Sequence, residues 1–411
     1  MYTSDNNNCT VKIRDKSIDL KETKDLYGRL MVLARSSRDV DQKEAIGNFR
    51  WLSTKFDEMK KCRTYDSVGI ALFGMGRAAR IHLTNILNSR NCKLIYVVDR
   101  YDLDHANTLK EAWNLTGTTM VTFSESGCVF QDERVHAVVI ASPTDTHIEI
   151  IKKALESGKK VFCEKPISLD EESVTECYKL AHSKGLPLMA AMQRRFDPGF
   201  ASVRKAVQCG EIGKVYTIKS CSRDSPLPTI DYIKSSGGFI HDCLIHDIDI
   251  ICNIINEFPI TVSVIGNAND LKIKEVGDID TVAITMKFPS GAIALIDASR
   301  HSVYGYDQRL EVHGSNGMLT INNERPSGVI KSGSTGCEAV PMYFSFPSRY
   351  LEAYSNELEH FIDVCQGRSS LSVTQQQVMN VGKVLAACEK SLESKSVVEI
   401  KWTNHVSDCV K

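Results

Sequence analysis

The hydrophobic pattern changes character twice along this chain, and the changes divide it. Residues 1–66 are rich in Asp, Lys, Ser and Asn, and one amphipathic stretch stands out. There Phe49, Leu52, Phe56 and Met59 recur at three- and four-residue spacing, which predicts a helix over residues 45–60 in an otherwise flexible extension. At Ser67 the texture turns apolar. Val68–Phe73 is an unbroken hydrophobic run of strand length, followed by a glycine-rich turn and a helical stretch to about Ser89. Residues 93–99 form a second apolar strand. Residues 135–141 and 160–163 repeat the theme, each before a helix, over residues 147–157 and 173–183. Unbroken apolar strands alternating with helices predict a parallel sheet covered on both faces, a doubly wound α/β domain over residues 67–190.

Beyond about Ala190 the runs shorten and turn signals multiply. Residues 214–223, 260–267, 281–288, 292–299, 308–313 and 318–321 read as antiparallel strands. Turns such as Pro289-Ser290-Gly291 and Gly314-Ser315-Asn316-Gly317 join them. Residues 327–348 read as a Gly/Ser/Pro-rich loop, and residues 350–365 and 375–392 as closing helices. The prediction is an α+β domain over residues 191–400 on one open, mainly antiparallel sheet, then a tail over residues 401–411. Val282, Ile284 and Met286 alternate along one strand, a pattern that suits a subunit interface and a core face equally.

Composition narrows the partners. The 411 residues are 42% hydrophobic and 25% charged, with a formal net charge of -1, the profile of an ordinary globular protein. Nucleic acid and anionic membranes both select clustered Lys and Arg, so neither is expected as a partner. There are 14 cysteines but no CxxC, and Cys243 and Cys252 are the closest pair. That spacing gives no zinc or dithiol site. The chain opens without a basic segment leading into an apolar one, and no run reaches the roughly 18 residues of a membrane span. Reduced thiols in a cytoplasmic protein are the expectation.

The candidate chemistry lies at the ends of the predicted parallel strands. Gly74-x-Gly76-x-x-Ala79 has the strand–turn–helix context of a dinucleotide site, with Arg77 inside the turn. The first glycine permits the turn, the second admits a pyrophosphate to the backbone, and the small third residue allows close packing. Asp99 ends the next strand, about 20 residues on, where a carboxylate bonds the ribose hydroxyls of NAD. It repels a 2′-phosphate, which favours NAD, whereas the adjacent Arg100 leaves NADP open. A plain tight turn in another α/β fold is the alternative. Ser142, Pro143 and His147 follow the strand at residue 135 and belong on the same edge, with His147 more at home as a structural residue. Glu164-Lys165-Pro166 follows the strand at residue 160. A lysine there donates to a substrate oxygen and stabilises an alkoxide, with Glu164 orienting it, although such a triplet also serves as a surface turn. In Gly237-Gly238-x3-Asp242-x3-His246 the spacing puts the carboxylate and the imidazole on one helical face, the arrangement of a general base. His241 and Asp242 with His246 and Asp247 imitate a metal site, but a five-residue spacing rotates the histidines apart by about 140°. No metal is expected.

Taken in order, these motifs resemble those of the Gfo/Idh/MocA oxidoreductase family. Further matches are Gln193-Arg194-Arg195-Phe196-Asp197-Pro198, Ser222-Arg223-Asp224, Tyr304-Gly305-Tyr306-Asp307-Gln308-Arg309 and Glu311-Val312-His313-Gly314-Ser315-x-Gly317. The resemblance covers residues 67–400. It implies a Rossmann domain and a substrate and oligomerisation domain, with cofactor on the glycine turn. It makes His246 the proton acceptor, Asp242 its partner and Lys165 the alkoxide stabiliser. Arg194 and Arg223 become substrate contacts, and a homo-oligomer, dimer or tetramer, is implied. Within the family the substrate is a polyol or sugar, with a cyclic polyol such as myo-inositol foremost. Other sugar, dihydrodiol or biliverdin-type reductases are near variants. A catalytically silent NAD-binding regulator is the reading from a different class.

Overall fold

The computed structural model of the protein describes residues 67–100 and 103–402, together with two short paired strands, Thr10–Ile13 and Lys16–Asp19. The chain divides into two compact units, Met1–Asp66 and Ser67–Lys411. The helix expected over residues 45–60 and the end of the tail lie outside the described residues.

The second unit begins with a six-stranded sheet. Its strands are β1 (Val68–Phe73), β2 (Cys92–Asp99), β3 (Thr119–Thr122), β4 (Ala137–Ile140), β5 (Lys160–Cys163) and β6 (Leu188–Ala190). They lie in the order β3-β2-β1-β4-β5-β6 and every pairing is parallel. Side chains of β1 and β4 are buried throughout, as strands covered on both faces must be. The strand order reverses between β1 and β4, which opens a crevice at their carboxyl ends. β3 and β6 were not legible in the apolar pattern. β6 has three residues, and β3 is a half-exposed edge strand with no alternation.

The loops that leave the central strands are laced together by backbone hydrogen bonds. The amide of Gly74 donates to Val98 O at 2.7 Å, that of Ala141 to Phe73 O at 2.8 Å, and that of Glu164 to Ile140 O at 2.8 Å. Gly74 has φ +103°, and a Cβ there would meet Ala141 O at 2.5 Å. Only glycine brings the two loops this close.

The second sheet has seven strands: β7 (Val215–Arg223), β8 (Thr261–Asn267), β9 (Thr281–Lys287), β10 (Ile293–Ser299), β11 (Asp307–Gly314), β12 (Gly317–Ile321) and β13 (Val398–Glu399). Their order is β12-β11-β7-β10-β9-β8-β13, antiparallel except for the pairing of β7 with β10. In that parallel pair Arg223 lies beside Ser299. Val282, Ile284 and Met286 are all buried, so their alternation marks the core face. The other face of the sheet is open and exposes Ile265, Ile293 and Leu295. Residues 327–348 are not a plain loop. They include a two-stranded hairpin, Ile330–Gly333 with Gly336–Ala339, exposed along its whole length and therefore invisible to a burial pattern.

Five helices matter for the site: α1 (Arg77–Asn88), α2 (His147–Glu156), α3 (Glu171–Lys184), α4 (Ile245–Ile255) and α5 (Gln375–Ser394). Helices α4 and α5 cover the core face of the second sheet. No helix among the described residues is long and apolar enough to cross a membrane.

Candidate active site

The glycine turn ends at Gly76, whose position a Cβ would not crowd, since nothing lies within 4 Å. Helix α1 starts at Arg77 with no side chain capping its first N–H groups and no acid in its first turn. Free amides, a positive dipole end and an open approach suit a pyrophosphate. Ala79 is fully buried against the sheet, as its small side chain requires. Arg77 is turned toward the second domain, where it donates to Ser345 Oγ at 3.1 Å and lies 4.8 Å over the Phe346 ring. Asp99 closes β2 with one carboxylate oxygen on the Arg100 amide at 2.5 Å. The Arg100 guanidinium stands 3.9 Å from Asp145, both exposed.

Ser142 bonds Thr146 Oγ1 at 2.7 Å, and Pro143 leads into the turn before α2. His147 is buried and spans two loops, with its ring nitrogens 2.9 Å from Pro166 O and 2.9 Å from Ser142 O. It is a brace between the crevice loops.

Lys165 sits at the end of β5. Beneath it Glu164 is bonded through Oε1 to the buried His82 at 2.7 Å and through Oε2 to the Lys165 amide at 3.3 Å. Burial would raise the Glu164 carboxyl, but His82 and Lys165 outweigh it and hold it below the usual range. The Lys165 ammonium donates to the backbone carbonyl of Asp242 at 2.6 Å and to its Oδ1 at 3.3 Å. Gly237 and Gly238 make this meeting possible. Both have positive φ, +83° and +82°, and a Cβ on Gly237 would stand 2.9 Å from Leu169 of the lysine loop.

The pairing of Asp242 with His246 is corrected. Residues Ile240–Leu244 form a π-helical turn, and the α-helix proper starts at Ile245. Asp242 Oδ1 receives Lys165 and the Tyr232 hydroxyl, the latter at 2.9 Å, and Oδ2 receives Arg300 at 3.1 Å. No hydrogen bond joins it to His246. Two cations and a phenol outbid a neutral imidazole for the carboxylate, and the wide turn alters the register. Burial pushes Asp242 up, but the charges of Lys165 and Arg300 hold its carboxyl below the usual range. His246 is half-buried, and desolvation, then Lys165 and Arg194, hold its imidazole well below 6.5.

Arg194 is buried with its terminal nitrogens engaged. Nη1 donates to Asp247 at 2.9 Å, and Nη2 to Ser222 at 3.2 Å and Gln308 at 2.6 Å. Arg223 lies on the open face of the sheet, bonded to Asp297 and to Tyr304 at 2.8 Å. That is the face opposite Ser222, so Arg223 is not brought to the lysine.

Three side chains at this place carried no assigned role in the motifs: Tyr232, Arg300 and Asp224. Burial and the Asp242 charge push Asp224 up to about 6. A sequence signal existed for two of them. Ile218, Ser220 and Ser222, and likewise Ala294, Ile296 and Ala298, are the buried positions of β7 and β10; Asp224 and Arg300 continue those alternations. A charge at a core-facing position needs a partner. Among the described residues no group of three or more His, Cys, Asp or Glu is arranged to hold a metal ion.

A nucleotide crevice opposite a lysine–carboxylate pair and a neutral histidine defines a two-domain, dinucleotide-dependent oxidoreductase. Residues 68–192 match the family model described as "Oxidoreductase family, NAD-binding Rossmann fold", and residues 204–400 match "Oxidoreductase family, C-terminal alpha/beta domain". The chain belongs to the Gfo/Idh/MocA oxidoreductase family. It is 34% identical over 335 residues to the inositol 2-dehydrogenase of Rhizobium meliloti, covering 81% of this chain and 99% of that protein. It is 32% identical over 333 residues to the myo-inositol 2-dehydrogenase of Thermotoga maritima, covering 81% and 98%. The crystal structure of a myo-inositol dehydrogenase from Corynebacterium glutamicum superposes with a TM-score of 0.75 at 33% identity, covering 82% of this chain and all of that one. The scyllo-inositol dehydrogenase of Lactobacillus casei, solved with NAD(H) and scyllo-inositol, gives a TM-score of 0.75 at 27% identity, covering 82% and 99%.

Proposed function

We propose that this chain is an NAD-dependent dehydrogenase that oxidises a secondary hydroxyl of a cyclic polyol of the inositol type to a ketone. The observation that carries this reading is the Lys165–Asp242 pair, held at the carboxyl edge of the parallel sheet. Similarity to proteins named inositol dehydrogenases supports the substrate class.

Residues 67–190 form the cofactor domain and residues 191–400 the substrate domain. Gly74, Gly76, Ala79 and the start of α1 with Arg77 receive the pyrophosphate, and Asp99, beside Arg100, the adenosine ribose. Ser142, Pro143, His147 and Glu164 shape the remaining wall, where Lys165 projects. Bound NAD supplies a hydride acceptor. His246, neutral because burial and neighbouring cations depress its proton affinity, accepts the hydroxyl proton. Lys165 donates a hydrogen bond to the same oxygen and stabilises the alkoxide as charge develops. Asp242 holds the ammonium in place and anchors a neighbouring hydroxyl. Arg194 supports that wall from behind through Ser222 and Asp247. The enzyme works in the cytoplasm as a homo-oligomer assembled through the open sheet face, on which Ile265, Ile293 and Leu295 are exposed.

The test is purified protein with NAD, then NADP, against a panel of polyols and sugars with myo-inositol first, following reduced cofactor by absorbance. Turnover of a cyclic polyol supports the reading. Cofactor binding with no turnover on any substrate would instead indicate a regulator.

A further inference from the structure

Among the described residues Arg300 is one of the largest side chains with no exposed surface, and it reaches the site from the end of β10. Its Nη1 donates to Asp242 Oδ2 at 3.1 Å; its Nη2 donates to Asp278 Oδ2 at 2.9 Å and to Ser236 Oγ at 3.4 Å. The guanidinium lies 5.0 Å from the Phe239 ring centroid, over its face. Asp278 in turn accepts the amide of Phe239 at 3.0 Å, the residue that follows the glycine pair. A continuous bridge therefore runs from the backbone of the glycine turn, through Asp278 and Arg300, to the carboxylate that holds Lys165.

The geometry of that bridge has chemical content. A planar fork that bonds two carboxylates at once fixes the rotation of each, which a point charge on a flexible stem does not. Asp242 Oδ2 is committed to Arg300, so only Oδ1 is presented to Lys165 and Tyr232. The bridge pairs the carboxylates of Asp242 and Asp278 with the cations Lys165 and Arg300. Asp224, Cys243 and Tyr232 are the other titratable groups facing Asp242.

We propose that Arg300 is a positioning residue for the oxidation: it sets the plane of the Asp242 carboxylate and so places the Lys165 ammonium before substrate binds. This rests on the polyol-oxidation reading. Arg300 has no exposed surface from which to touch cofactor or substrate. It acts through Asp242.

The test compares wild type with Arg300→Met, Arg300→Lys and Asp278→Asn. With NAD and myo-inositol, kcat and KM are measured separately across pH, and NADH affinity by fluorescence. Arg300→Met is expected to lower kcat about 100-fold, the scale of a misplaced catalytic group, with NADH affinity unchanged. Its acid limb should move to higher pH, because Asp242 has lost a counter-charge. Arg300→Lys should not restore kcat, since an ammonium does not span both carboxylates. An infrared readout stands apart from turnover: a protonated Asp242 gives a carboxylic-acid band that Asp242→Asn deletes. The pH at which that band appears on acidification should be higher in Arg300→Met than in wild type. If wild type oxidises no polyol, the functional reading fails while the infrared band still decides the Arg300 assignment. Wild-type kcat and an unshifted band in Arg300→Met overturn it, and so does full recovery by lysine. If Arg300→Met does not fold, Asp278→Asn, which frees one end of the fork, carries the same expectation at about tenfold in kcat.

Discussion

The Lys165 ammonium and the Asp242 backbone carbonyl are 2.6 Å apart, closer than the 3.3 Å between the same ammonium and the Asp242 carboxylate. The lysine is thus held by main chain and side chain of one residue, and the π-helical turn that carries Asp242 is part of its seat. Replacing Lys165 by Met should lower kcat by about 100- to 1000-fold, the usual loss of one aimed donor to a developing oxyanion. Cofactor affinity should change little. Single-turnover kinetics and NADH fluorescence check both halves, and undiminished turnover would remove Lys165 from the site.

His246 has a folded-state proton affinity well below that of an unfolded histidine. The unfolded chain therefore takes up the proton first as pH falls through about 6.5, and stability is lost in that direction. His246→Gln should flatten this dependence between about pH 5 and 7 while lowering kcat by at least about 100-fold. Denaturant titrations at several pH values give the first result and initial rates the second.

Asp224 is displaced the other way, up to about 6. Its raised affinity means that the folded state keeps the proton longer than the unfolded chain, so stability falls as pH rises from about 4 to 6. Asp224→Asn should be as stable as wild type near pH 4 and about 1–2 kcal/mol more stable at pH 7.5, a figure discounted for the partial exposure of the group. A stability difference that does not vary with pH would refute this.

A methyl group at Gly74 meets Ala141 O and requires a left-handed backbone. Gly74→Ala should cost roughly 2–4 kcal/mol of stability and abolish tight NAD binding, whereas Gly76→Ala, with open space around it, should cost mainly cofactor affinity. Chemical denaturation beside NADH titration separates the two.

Asp99 ends β2 where the ribose is expected. Asp99→Ser should lower the NAD:NADP ratio of kcat/KM by about tenfold or more, by removing the repulsion toward a 2′-phosphate and a ribose acceptor together. An unchanged ratio would leave Arg100 and its neighbour Asp145 as the determinants.

The parallel sheet and its crevice were legible because their signals are local. An apolar run, a glycine turn and a helix occupy one short window, which revealed four strands of the sheet; β3 and β6 are too short or too exposed to read, and the strand order is not a local property. What the chain did not disclose is who meets whom across distance. Asp242 and His246 are neighbours in sequence, and helical spacing suggested a pair. The choice of Asp242 was instead made by Lys165 and Arg300, whose charges arrive from other elements and whose attraction exceeds that of a neutral ring. Arg223 looked as available as Arg194, yet strand alternation sends it to the opposite face from Ser222. Arg194 keeps its charge inside by bonding both terminal nitrogens to Asp247, Ser222 and Gln308.

The single parallel pairing in the second sheet has its own consequence. Antiparallel neighbours deliver their following residues to opposite ends of a sheet, whereas β7 and β10 end together, with the amide of Asp224 on Ser299 O at 2.8 Å. Residues 224 and 300, separated by a long excursion that includes the turn carrying Asp242, thus leave the sheet side by side and flank that carboxylate. Both sheets of the second unit thus bring the outgoing ends of parallel strands to the Lys165–Asp242 pair. Insertions in the loops of the excursion between β7 and β10 that spare the turn carrying Asp242 lengthen the path without moving either strand end, so the spacing of residues 224 and 300 is insulated from the length of the loops that join them.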